Sequence, residues 1–81
     1  MSRVAVVTGG ASGIGQAISQ RLAESGTKVA IFDRQGEALD AQVAVLRNNG
    51  FRAIGLNVDV TDRPAVDSAV DLVRDEFGPS A

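Results

Sequence analysis

Apolar positions along the chain follow two alternating rhythms. Val4 to Val7 is an unbroken apolar run stopped by Thr8-Gly9-Gly10, which predicts a strand buried on both faces, as in a parallel sheet. From Gly13 to Ser25 the spacing changes: Ile14, Ala17, Ile18 and Leu22 recur at three and four residues, predicting a helix that packs through that stripe and stops at Gly26. Val29-Ala30-Ile31-Phe32 predicts a second buried strand, closed by Asp33. Leu39, Val43 and Leu46 mark one face of a second helix that ends near Asn48-Asn49-Gly50, and a third strand follows at about Arg52 to Val58. Asp62 is placed to cap a third helix, Pro64 suits its first turn, and Val66, Ala69, Val70, Val73 and Phe77 form its packing face before Gly78-Pro79 ends it. Strand and helix thus alternate as β-α-β-α-β-α with short connections. Parallel strands need helical crossovers, and these are right-handed, so the expectation is an α/β fold on a parallel sheet.

Composition narrows the function classes. Eighty-one residues allow one small domain at most, and a domain of that size buries only about 60% of its unfolded surface, so membership of a larger fold stays open. The net charge of −2 and the absence of any Lys or Arg cluster argue against a nucleic-acid surface. Cysteine and histidine are both absent, which removes disulfides and the thiolate or imidazole ligands of a metal site. Met1 to Val4 runs straight into the first strand without the apolar core of a signal peptide, and no apolar run exceeds four residues, against the roughly 20 that span a bilayer. A soluble cytoplasmic protein with no membrane association is expected.

Chemistry concentrates in Thr8-Gly9-x-x-x-Gly13-Ile14-Gly15, between the first strand and the first helix. Glycines there let the backbone turn and let an anion approach, while the first N–H groups of the helix point at it. A triphosphate-binding loop would need Lys and Ser/Thr after the last glycine, where Gln16 and Ala17 stand instead. The G-x-G-x-x-G dinucleotide fingerprint fails as well, with Ile18 at its third glycine. Gly9, Gly13 and Gly15 are therefore assigned to a diphosphate cradle, Thr8 and Ser12 to hydroxyl contacts with the turn or the phosphate, and Ile14 to the ribose and diphosphate side, its side chain seating the helix. The plain alternative is a structural strand-to-helix turn. Asp33, at the C-terminal end of the second strand, stands where a carboxylate can accept from both hydroxyls of an adenosine ribose and repel a 2′-phosphate. Arg34 complicates that reading, because an inward guanidinium would pair with such a phosphate. A phosphoacceptor receiver module, suggested by Asp59, fails because Thr8-Gly9 replaces the acidic pair it needs after the first strand.

These residues resemble the classical short-chain dehydrogenases/reductases. Thr8-Gly9-Gly10-Ala11-Ser12-Gly13-Ile14-Gly15 matches the family's TGxxxGIG cofactor motif, Asp33 the acidic residue of its NAD-preferring members, and Asp59-Val60 its adenine-pocket element. Helix-entry capping is the competing role for Asp59. The resemblance implies a Rossmann-like doubly wound sheet with strand order 3-2-1-4-5-6, of which residues 1–81 are the N-terminal β-α-β-α-β-α portion, ending before the fourth strand. It implies NAD in preference to NADP, a small alcohol or carbonyl substrate, and hydride transfer assisted by a Tyr-x-x-x-Lys pair. The chain has no tyrosine and its one lysine, Lys28, precedes the second strand; the implied catalytic groups lie beyond Ala81, and no catalytic or metal-binding residue is assigned here. A homo-oligomer or a complementing chain is the expected partner, since the first strand would be central in the complete sheet and the third helix would cross to the sheet's opposite face. A non-catalytic dinucleotide sensor or scaffold remains the alternative.

Overall fold

The computed structural model describes residues 3–9 and 13–78. Six elements follow in order: β1 (Val4–Thr8), α1 (Gly13–Glu24), β2 (Lys28–Asp33), α2 (Gly36–Asn48), β3 (Ala53–Asn57) and α3 (Arg63–Phe77). The strands pair in parallel in the order β1-β2-β3, with Val4 opposite Lys28 and Val29 opposite Ala53. All three strands therefore present their C-terminal ends on one side of the domain, and the parallel α/β expectation holds.

Strand periodicity divides the core into two layers. Val29 and Ile31 of β2 face α1 and α2, packing with Val7, Ala23, Leu39, Val43, Leu46 and Ala53. Ala30 and Phe32 face the other way, against Ala69, Val73 and Phe77 of α3. The third helix thus covers the opposite face, as its expected crossover requires. A buried run without polar interruption is what such a doubly covered strand needs, and β2 is sealed from Val29 to Phe32.

The helix stops work as their glycines suggest. Thr27 N–H donates to Leu22 O at 3.1 Å and Gly26 N–H to Ala23 O at 3.0 Å; Phe51 N–H and Gly50 N–H repeat the pattern on Leu46 O and Arg47 O, both at 3.0 Å. These paired bonds satisfy carbonyls left over at each helix end, with Gly26 and Gly50 in the left-handed region at φ 91° and 85°. Asp62 caps α3, its side chain accepting from Ala65 N–H at 3.3 Å.

Two expectations need correction. The packing face of α1 is Gly15, Ser19 and Ala23, with Leu22 half-buried, whereas Ile14 and Ile18 are 79% and 48% exposed. Small residues one turn apart line the sheet-facing side, which leaves the bulkier stripe rotated outward. Ile14 therefore does not seat the helix. The first strand, too, is not buried on both faces: Val7 is buried but Val6 is 43% exposed. β1 is the outermost strand of the described sheet, and the residues of α3 that pack in the second layer gather around β2 rather than over Val6.

No helix among the described residues is long and apolar enough to cross a membrane.

Candidate functional site

At the C-terminal ends of the strands, the turn after β1 is tied to β2 by Gly9 N–H donating to Phe32 O at 2.9 Å. Gly9 holds φ at 66° to make that bend, a conformation that costs any residue with a Cβ. Its amide is engaged with the sheet, so its contribution to the site is shape. Gly13 is different. It begins α1 with no left-handed φ, and a Cβ built on it meets nothing within 4 Å. Neither backbone conformation nor packing among the described residues calls for glycine at this position. Gly55 provides the contrast: a Cβ there would lie 2.8 Å from Val43 Cγ2 and 3.0 Å from Leu39 Cδ1, so its glycine lets α2 sit against β3.

Asp33 closes β2 half-buried, its Oδ1 accepting from Gln35 N–H at 3.0 Å while its carbonyl accepts from Val58 N–H at 3.1 Å. The first bond folds the chain into a side-chain-closed turn toward α2, and the second fixes the exit of β3 beside it. Asp59 lies two residues beyond the end of β3. Its Oδ1 accepts from the Thr61 hydroxyl at 2.6 Å and the Thr61 amide at 2.9 Å. The Arg34 guanidinium reaches to 3.8 Å of its Oδ2. The Thr61 hydroxyl first, then the Thr61 amide and Arg34, hold the Asp59 carboxyl below the ordinary aspartate value. Capping of α3 falls to Asp62, so helix entry is not the role of Asp59.

Gly9, Asp33, Arg34 and Val60 line one concavity of about 250 Å³ together with Phe32, Gln35 and Val58. Phe32, Val58 and Val60 supply an apolar surface, with charge at the rim. The volume is below the roughly 300–1,000 Å³ of a site that encloses a whole drug-sized ligand, so it suits one end of an extended molecule. A larger hollow of about 390 Å³ lies between α2 and β3, lined by Asp40, Val43, Ala44, Arg47, Asn48 and Gly55. It contains none of the motif residues, and its Arg47 is turned to Ala53 O at 2.8 Å.

Of the residues singled out from sequence, Thr8, Gly9, Gly13, Ile14, Gly15, Asp33, Arg34, Asp59 and Val60 all lie at or just after the strand C-termini. Thr8 ends β1 exposed, Gly15 is buried in the first turn of α1, and Ile14 projects outward. Ser12 lies outside the described residues. Arg34 reaches toward Asp59, on the β3 side. The sequence reading missed Phe32, Gln35 and Val58 as lining residues and Thr61 as the group that fixes Asp59. Asp-x-Thr is a recognisable side-chain turn pattern and would have indicated the last of these.

A parallel α/β sheet with a glycine turn after its first strand and a carboxylate after its second defines a Rossmann-like protein. Comparison with known proteins gives its family: residues 3–79 match short chain dehydrogenase, and the chain belongs to the short-chain dehydrogenase/reductase family. Over 76 residues it is 47% identical to cis-4-hydroxycyclohexanecarboxylate dehydrogenase of Sinomonas cyclohexanicum, covering 94% of this chain and 30% of that protein. The structure of NAD+-bound xylitol dehydrogenase superposes with a TM-score of 0.90 at 41% identity, over 96% of this chain and 30% of that one. An actinorhodin polyketide ketoreductase crystallised with NADPH gives a TM-score of 0.91 at 38% identity, over 98% and 30%. The chain thus spans about 30% of the length of these relatives.

Proposed function

We propose that the chain is the cofactor-binding part of an NAD-dependent oxidoreductase that interconverts a small alcohol and its carbonyl. The observation carrying this reading is Gly13: neither its φ nor packing among the described residues asks for glycine, and it opens a helix that follows directly on the C-terminal end of β1. A diphosphate approaching that turn needs the space a Cβ would fill.

In this reading Gly13 and Gly15, with Thr8 and Ser12, hold the diphosphate, and Gly9 shapes the bend. Asp33 accepts from the ribose hydroxyls, while Val60 and Asp59 border the adenine. Asp33 also disfavours a 2′-phosphate by charge, which is the basis for NAD over NADP; named relatives include both an NAD+-bound and an NADPH-bound enzyme. The bound nicotinamide would supply hydride exchange. This chain's residues supply binding and orientation, and proton transfer belongs to residues outside it. A cytoplasmic homo-oligomer fits the proposal.

The test is dinucleotide titration of the protein expressed from its full reading frame. Wild-type protein should bind NADH more tightly than NADPH, and Asp33→Ala should weaken NADH while narrowing the difference. An unchanged preference in Asp33→Ala contradicts the ribose assignment.

A further inference from the structure

We propose that Asp59 governs cofactor selectivity at a distance by holding Arg34 away from the ribose side of the site, a claim that rests on the dinucleotide reading above. Arg34 directly follows Asp33, so its guanidinium has two destinations: the neighbourhood of the Asp33 carboxylate, where a 2′-phosphate would sit, or the β3 side. The structure records the second, with Nη1 3.8 Å from Asp59 Oδ2 and the Arg34 side chain 74% exposed. Among the described residues, Arg34 is the one cation lining the concavity. A phosphate there would have no other positive charge along that wall to meet it, and guanidinium is the group best suited to that contact.

The two partners are unequal in freedom. Asp59 is pinned, because Oδ1 accepts from both the amide and the hydroxyl of Thr61, which leaves Oδ2 as the oxygen nearest Arg34. Arg34 is a long exposed side chain with many rotamers. A fixed carboxylate therefore biases a mobile guanidinium, not the reverse. Asp59 acts here as a positioning residue: it withholds from a phosphorylated ribose the cation that would stabilise it. Exposed ion pairs are weak, so the effect on selectivity should lie between about 1.5-fold and 5-fold.

The experiment is a double-mutant cycle on the protein from its full reading frame, reading the ratio of NADPH to NADH dissociation constants by fluorescence titration. Asp59→Asn keeps the acceptor for Thr61 and removes the charge. It should lower the ratio by about 1.5-fold to 5-fold at low salt, with a smaller change at 1 M salt. Arg34→Gln alone should leave the ratio near wild type, and adding Asp59→Asn to Arg34→Gln should produce no further fall. A fall of equal size in the Arg34→Gln background would overturn the proposal, because Asp59 would then act by its own charge. Normal NADH binding with an unmoved ratio in Asp59→Asn would also overturn it while leaving the proposed function standing. Failure of the wild-type protein to bind either dinucleotide would overturn both.

Discussion

Close packing dictates glycine at one position of the sheet and not at the opening of α1, where a Cβ on Gly13 meets nothing within 4 Å among the described residues. Gly55 is fixed by the contact of α2 with β3, so Gly55→Ala should destabilise the fold by about 1–3 kcal/mol. Chemical denaturation checks this, and an unchanged midpoint would show that Val43 and Leu39 yield at no cost. Ser19 offers the reverse case. Its hydroxyl is fully buried with no hydrogen-bond partner among the described residues, so Ser19→Ala should be neutral or stabilise by about 1 kcal/mol. A clear loss of stability would reveal a partner for that hydroxyl. Neither residue was legible beforehand: a glycine within a strand and a serine within a helix state nothing about which neighbour sets them, because that neighbour comes from another element. The position of Asp33 was legible, since it closes β2 and strand ends are punctuated in the sequence.

Among elements, β2, α2 and α3 match their apolar patterns because each packs the side that carries the bulky residues. α1 does not. Its sheet-facing side is built from Gly15, Ser19 and Ala23, a small-residue stripe that hydropathy spacing scores below Ile14 and Ile18. The turn after β3 is held by an ionised Asp59, whose folded-state pKa lies below its ordinary value. A depressed carboxylate contributes fully above its unfolded pKa and loses that contribution as pH falls through the lower folded value. Melting temperature should therefore be insensitive to Asp59 titration near neutrality and fall on acidification below about pH 4, less steeply in Asp59→Asn. An identical acid limb in the variant would contradict this. At the far end of the domain Lys28 Nζ donates to Phe77 O at 3.2 Å, placing a cation at the C-terminus of α3. Lys28→Met should cost about 0.3–1 kcal/mol, read as weakened amide protection in the last turn of α3. Unchanged protection would mean that this contact adds nothing.

At the scale of the whole molecule, the sheet leaves β1 outermost while its sequence reads as that of an interior strand, and Val6, Ile14, Ile18 and Leu72 are exposed. An apolar strand with an unpaired edge is a template for further pairing. The 81-residue chain by itself should therefore self-associate in light scattering; a monodisperse monomer with a sharp two-state melt would contradict that. The chain belongs to the short-chain dehydrogenase/reductase family, and its motif residues lie at one end of the sheet. The claim joining them is that the turn opening α1 is shaped for a diphosphate. Its most direct test is calorimetric titration of NADH into the full-reading-frame protein and its Gly13→Val variant, with the melting temperature of each measured alongside. Binding should vanish in the variant while its melting temperature stays close to wild type, because a Cβ at this position meets nothing within 4 Å among the described residues. Undiminished NADH affinity in a folded Gly13→Val variant would contradict it.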